Sequence, residues 1–361
     1  MKFFLRVYEE FVKYQKEYVV KDIDSWLGRK NLSEKKKEEI FEIYWKPSFT
    51  EFWVDVKLLI FSKNPLKILE SSTFEPWDLW DIFYLLSFLK ERGFISIRKG
   101  FIEVTSGKIK RKLLKPLSKD KIKRRLNEVF GKMDWKRSIA ENLNLNFWWK
   151  DRLDQIPIDL NSAIKIVEKI SYWYPFYSDF LLLGDDDFIS IILKAVIPKF
   201  KLTVFDLDEE LLNILKKEGV RVKKIDFTRK KKVGEFFGFY TNPPYTIKGV
   251  KEFLMFGKLN LSKLGGTAFV VLGPGVMDKR NVVIQRFLAR NSFLFIDSTG
   301  PIVYRFLNSY AEDKEVRERL GNLGIKISKN SPSIAARLFV YKVYPWKIRE
   351  VVKEKDILSY F

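Results

Sequence analysis

Two short motifs hold the residues best suited to chemistry. Gly184-Asp185-Asp186-Asp187 follows the apolar run Phe180-Leu181-Leu182-Leu183, and Asn242-Pro243-Pro244-Tyr245 closes a second apolar run further along the chain. The first run reads as a buried parallel strand, which puts three carboxylates at a strand's carboxyl end, where open α/β sheets bind their ligands. Nucleotide-binding turns at that place normally carry several glycines, so that backbone N–H groups approach an anionic ligand group. Here carboxylates take that surface. They repel an anion and attract an ammonium, so the turn suits a cationic ligand that lacks a carboxylate. An aspartate beside a reacting amine can also accept its proton.

In the second motif the paired prolines fix the backbone and aim carbonyls outward, so that an amine can donate to Asn242 and to a main-chain oxygen while Tyr245 lines the same groove. Loops of this kind receive planar amino groups in many DNA and protein methyltransferases, so the motif says that the nucleophile is an amine without saying which one. Two further acids fall at strand ends. Asp206, in Val204-Phe205-Asp206-Leu207-Asp208, occupies the place where a carboxylate accepts the hydroxyls of a bound ribose, and Asp208 is placed to cap the next helix. Asp226 ends the following strand, either as an acceptor for an adenine amino group or as an ordinary loop aspartate. With no cysteine and no histidine in the chain, thiolate nucleophiles, disulfides, Cys/His zinc sites and histidine acid/base chemistry are excluded. Proton transfer falls to Asp, Glu, Tyr, Lys or water, and no metal is expected.

The elements that must hold these groups follow from strand-helix alternation beginning near Ser162. Helix Ala163 to Ser171, strand Phe180 to Leu183, helix Phe188 to Val196, strand Leu202 to Phe205, helix Glu209 to Lys217 and strand Val220 to Lys224 imply a parallel sheet. Strands at Phe237 to Thr241 and Thr267 to Leu272 extend it, with a helix from near Val250 between them. Shorter runs at Phe293 to Ile296 and Leu338 to Tyr341 are expected to join. The charged segment Glu312 to Pro332 carries no assignable pattern and reads as a flap.

Before the alternation the chain reads differently. Met1 to Trp45 is helical, with Ser33 as a cap. From Leu58 to Gly107 the order is helix, turn, helix and two short β runs joined at Lys99-Gly100, the signature of a winged helix. Its second helix has Pro76 at the first position and Leu79, Phe83, Leu86 and Leu89 at helical spacing. Glu75, Asp78 and Asp81 near the start of that helix argue against contact with base edges. The cluster Phe147-Trp148-Trp149 reads as interdomain packing. The 361 residues with 46% hydrophobic content therefore divide into an N-terminal helical and winged-helix domain over 1–145 and a catalytic domain over 146–361.

Lys and Arg number 67 against 46 Asp and Glu, a formal net charge of +21, which favours association with polyanions such as nucleic acid. Lys108 to Arg125 is the strongest basic run, ten cations with Asp120 the one acid; a solvated helix face and a nucleic-acid contact both account for it. No apolar stretch is long enough to cross a bilayer and no convincing signal peptide opens the chain, so a cytoplasmic location is expected. Abundant Lys and Glu without Cys fits a thermophile's composition.

Gly184-Asp185-Asp186-Asp187, Asp154-Gln155-Ile156-Pro157, Phe205-Asp206-Leu207-Asp208-Glu209 and Pro243-Pro244-Tyr245-Thr246 together resemble the branched-chain polyamine synthases, also called bis(aminopropyl)spermidine synthases. The resemblance runs from about Asp154 to Gly257. It implies a Rossmann-like sheet of the class I methyltransferase type behind a winged-helix domain; a homodimer is expected. It also implies an aminopropyltransferase that moves the aminopropyl group of decarboxylated S-adenosylmethionine onto the internal secondary amine of spermidine, releasing methylthioadenosine, with no other cofactor. One of Asp185, Asp186 and Asp187 becomes the acid/base; Gly184, Asp206 and Asp226 face the donor; Asn242, Pro243, Pro244 and Tyr245 face the acceptor. The family pattern places Asp before Pro-Pro-Tyr, and Asn242 departs from it. That departure keeps an S-adenosylmethionine-dependent N-methyltransferase acting on nucleic acid or protein as the alternative.

Overall fold

A seven-stranded sheet organises the residues from 158 onward in the computed structural model, which describes residues 1–26, 32–44, 46–62, 79–98, 101–130, 158–229, 231–273, 278–305, 311–324 and 332–344. Its strands are β3 (Phe180–Leu183), β4 (Leu202–Asp206), β5 (Arg221–Lys224), β6 (Gly238–Thr241), β7 (Gly266–Leu272), β8 (Phe293–Arg305) and β9 (Pro332–Val343). They lie in the order β5-β4-β3-β6-β7-β9-β8, and β9 alone runs antiparallel, to both of its neighbours. The order reverses between β3 and β6, whose residues pair Leu183 with Thr241. That reversal opens a crevice at the carboxyl ends of the two strands.

Every residue of β3, β6 and β7 is buried, as a sheet covered on both faces requires. Alternate residues feed two cores. Phe180 and Leu182 join one that takes in α7 (Leu160–Trp173), α8 (Ile189–Val196) and α9 (Glu209–Lys217), whereas Leu181 and Leu183 join the other, under α10 (Ile247–Leu259) and α11 (Asn281–Arg290). The expected α/β class and mostly parallel sheet are thus present. Two expectations need correction. The strands written as Phe293 to Ile296 and Leu338 to Tyr341 are β8 and β9, far longer; Gly300-Pro301 looks like a break, but register shifts near that pair let β8 continue along β9. The segment Glu312 to Pro332 is not a featureless flap, because α12 spans Ala311–Asn322. Its mostly charged sequence lacks apolar periodicity yet is rich in good helix formers, with Arg319 and Glu315 paired one turn apart.

The earlier residues form α1 (Lys2–Trp26), α2 (Glu34–Tyr44), α3 (Phe49–Ser62), α4 (Leu79–Glu91), the hairpin β1 (Ile95–Arg98) and β2 (Phe101–Val104), α5 (Gly107–Lys112) and α6 (Lys119–Phe130). Ser33 Oγ accepts from the Lys36 N–H at 3.3 Å, the expected cap. On α4 the packed face is Ile82, Tyr84, Leu85, Phe88 and Leu89, while Phe83 is 52% exposed. Apolar residues surround this helix almost completely, so spacing alone selects no face; the edge contact of Phe88 with Phe11 does. Helix and hairpin are in place. Pro76, Glu75, Asp78, Phe147-Trp148-Trp149, Asp154-Gln155-Ile156-Pro157 and the expected domain boundary lie outside the described residues.

The N-terminal helices share the core that lies beneath one face of the sheet. Phe49 packs on Phe237 with ring centres 5.1 Å apart, and Phe4 on Phe176 at 5.1 Å. At the centre of this contact Lys57 is fully buried, and its Nζ donates to the carbonyls of Ser171, Tyr172 and Tyr174 at 2.5, 2.7 and 2.8 Å. These are carbonyls that the end of α7 leaves without intrahelical donors, and a cation is favoured at that end of the helix dipole. Burial pushes the Lys57 ammonium well below its usual pKa, and the three acceptors work to keep it charged. Replacing Lys57 by Ala orphans all three carbonyls in a dry site. Urea unfolding of Lys57→Ala should show a loss of about 3 kcal/mol, against well under 1 kcal/mol for the exposed Lys35→Ala.

Candidate active site

The turn after β3 is built so that each of its four residues has a separate task. Gly184 sits at φ +73°, with its N–H bonded to the Phe205 carbonyl at 3.0 Å. Space beside it is open, the nearest atoms to an added Cβ being Asp206 Oδ2 and the Phe253 ring at 3.9 Å. The left-handed backbone, and not crowding, calls for glycine. Asp185 is buried and its two oxygens accept from the Ser190 N–H at 3.2 and 3.3 Å, closing the first turn of α8. Asp187, also buried, accepts from the Ile158 N–H at 2.9 Å through Oδ1 and from Asn242 Nδ2 at 3.0 Å through Oδ2. Asp186 is half-buried, and the hydrogen bond that favours its charged form comes from its own backbone N–H. Burial first, then Asp187, Asp206 and Asp185, push its carboxyl well above the ordinary carboxylate range.

On the other side of the crevice Asn242 works as a bridge. Its Nδ2 meets Asp187, and its Oδ1 accepts from Tyr304 Oη at 2.8 Å and Tyr245 Oη at 3.2 Å. The two tyrosine hydroxyls also lie within bonding distance of each other, and with one proton apiece they satisfy two of these three contacts at a time. Pro243 is buried and the Pro244 carbonyl turns inward to take the Thr246 N–H at 2.8 Å. Gly273 leaves room for the Tyr245 ring, since a Cβ there would lie 2.0 Å from it. The structure therefore brings together Gly184, Asp185, Asp186, Asp187, Asp206, Asn242 and Tyr245. Tyr304, from the long β8, was not foreseen from sequence, nor was Tyr240, whose hydroxyl lies 3.4 Å from Asp187 Oδ2. Burial raises both phenols well above their usual pKa, so both act as neutral donors.

The strand-end acids differ in what they touch. Asp206 ends β4 and accepts from the Asp208 N–H at 2.8 Å, and Asp208 in turn caps α9 through the Glu210 N–H at 3.1 Å. Burial pushes the Asp206 carboxyl up to about 6, against the hydrogen bonds from Asp208 and Leu207 that favour its charged form. Asp226 is spent on its own loop: Oδ1 accepts from Thr228 N at 3.0 Å and Thr228 Oγ1 at 2.7 Å, and Arg229 lies 3.5 Å from Oδ2. The Thr228 bonds hold it below the usual carboxylate range. Its neighbour Phe227 stacks edge-on with Phe253, ring centres 4.7 Å apart, and so extends an aromatic wall toward Gly184.

A model of the branched-chain polyamine synthase A C-terminal domain matches residues 149–357. The chain belongs to this family. A member from Methanocaldococcus jannaschii, N(4)-bis(aminopropyl)spermidine synthase, is 36% identical over 90 residues, 22% of this chain and 25% of that protein. An uncharacterised protein of the same organism is 33% identical over 94 residues, 24% of each chain. The chain thus aligns with about a quarter of the length of these curated relatives. The crystal structure of the Thermus thermophilus branched-chain polyamine synthase, solved with N4-aminopropylspermidine and 5'-methylthioadenosine, superposes with a TM-score of 0.47 at 16% identity, over 86% of this chain and 92% of that one.

Crowded carboxyls set how the ligand-free protein responds to pH. Asp206 titrates near 6 when folded and near 4 when unfolded, so the native state holds more protons in that window and stability falls as pH rises through it. Asp185 and Asp186 are raised as well, by burial first, and act in the same direction. Asp206→Asn keeps an acceptor for Asp208 and removes a charge. Denaturant unfolding at pH 7 should find it about 2 kcal/mol more stable than the wild type, with the difference gone at pH 3.5.

Proposed function

We propose that this protein is an aminopropyltransferase which moves the aminopropyl group of decarboxylated S-adenosylmethionine onto the internal secondary amine of spermidine. The observation that carries the reading is Asp186, a half-buried carboxyl at the crevice whose charged form is disfavoured by burial and by three neighbouring acids. A carboxylate raised in this way is a stronger base than an ordinary one, and a cationic donor and acceptor beside it favour the ionised form that takes the proton. Family membership supports the same chemistry.

In the proposed step the lone pair of the secondary nitrogen attacks the methylene carbon bound to the sulfonium. The carbon–sulfur bond breaks with its electron pair going to sulfur, which leaves neutral methylthioadenosine. The new carbon–nitrogen bond makes the nitrogen cationic, and its proton passes to Asp186. The sulfonium is already a good leaving group, so the protein's work is to align the amine and keep it unprotonated. Asp185 and Asp187 hold the turn rigid while their charge favours the flanking ammonium groups of donor and acceptor. Asp206 is the ribose acceptor in this reading, with Gly184 and the Phe253 ring against the donor and Asp226 reaching its adenine after giving up local bonds. Asn242, Pro243, Pro244 and Tyr245 line the acceptor side together with Tyr304.

The methyltransferase alternative asks the Asn242 amide oxygen to accept from a target amine. That oxygen already takes two tyrosine hydroxyls, and the carboxylates facing the donor disfavour a ligand carboxylate. Both readings separate in one assay. With decarboxylated S-adenosylmethionine and spermidine, mass spectrometry should find the branched aminopropyl adduct, and Asp186→Asn should lower kcat by roughly 10²–10⁴-fold with little change in KM. Turnover of S-adenosylmethionine with a methylated product, and none of the decarboxylated donor, would overturn the proposal.

A further inference from the structure

The cations of residues 108–125 are all exposed or half-buried and form a basic stretch of the surface. They occupy α5, the connection 113–118 and α6, while Ile109, Leu113, Leu114, Leu117, Ile122 and Leu126 of the same stretch are all buried. Some of the charges have partners: Lys119 lies 3.8 Å from Glu168, Arg124 3.7 Å from Glu128, and Lys108 over the Phe3 ring. Lys110, Lys115, Lys121 and Lys123 have no acidic partner among the described residues. Lys121 lies in the field of Lys115, Arg125 and Arg124, and together with burial they lower its pKa. Like charges held this close raise the free energy of the protein alone, and a polyanion relieves it.

The position of this stretch is as informative as its charge. Arg125 donates to the Val196 carbonyl at the end of α8, and the Leu114 N–H bonds the Pro175 carbonyl ahead of β3. Both contacts lie at the amino edge of the sheet, whereas the aspartates lie at the carboxyl edge, the length of α8 or about 12 Å away. A bound polyanion and a polycationic substrate therefore need not compete. We propose that α5, residues 113–118 and α6 form a docking surface for the phosphodiester backbone of duplex nucleic acid. No aromatic side chain occurs between residues 107 and 126 to stack on a base, so binding is through phosphates and independent of sequence. An anionic membrane fits less well, since the stretch presents no leucine or isoleucine to enter it.

The test is fluorescence anisotropy of the full chain with a labelled mixed-sequence 20-base-pair duplex across a salt series. Two charge-matched variants are compared: Lys110, Lys115, Lys121 and Lys123 all changed to Gln, and exposed Lys35, Lys36, Lys216 and Lys217 all changed to Gln. The first should lose at least tenfold in affinity at 0.1 M salt and flatten the slope of log K against log salt by about 3, while the second stays within about threefold of wild type. Equal losses in both would show that only the overall charge matters and would overturn the proposal. So would binding of phosphatidylserine vesicles in the absence of duplex binding.

Discussion

Carboxylates packed at the end of one strand repel each other, and much of the structure around β3 consists of the groups that keep them there. Asp185 is held by the first turn of α8 and Asp187 by the Ile158 N–H and the Asn242 amide. Each of those bonds offsets part of the repulsion and fixes a carboxylate in place. Asp186 takes its backbone hydrogen bond from its own N–H and is tied to no other element by it. The arrangement concentrates negative charge at one strand end, and a cationic group placed there would relieve the repulsion.

Asn242 has a clear place in that balance. A carboxylate at the same position would face Asp187 across the 3.0 Å now spanned by an N–H···O bond. The amide turns a repulsive contact into an attractive one and uses its oxygen to gather Tyr245 and Tyr304. Its chemistry makes the crevice less acidic and more rigid than a second carboxylate would. The negative charge of the crevice is therefore concentrated on the β3 side.

Much of this was legible in the chain before any coordinates. Apolar runs ending in Gly184, Asp206 and Asn242 gave away β3, β4 and β6, because buried parallel strands must be apolar on both faces. The sharing of tasks among the three aspartates was not legible. It depends on which N–H groups lie nearby, and Ile158 comes from 29 residues away in sequence. Tyr304 escaped for a similar reason: it reaches Asn242 only because β8 runs on beyond Gly300-Pro301 while pairing with β9, and two residues that usually end a strand disguise that continuation. On α4 the apolar residues surround the axis, so only packing could choose the buried face.

Helix α7 touches both halves of this balance. Ile158, just ahead of its start, donates to Asp187, and its last carbonyls close around Lys57 of α3. Over 14 residues it makes a strut of about 21 Å between the crevice and the N-terminal helices. The amino-terminal part of the chain is consequently no interchangeable attachment. Exchanging it would withdraw the cation from one end of the strut whose other end seats Asp187, so the two regions are mechanically one piece.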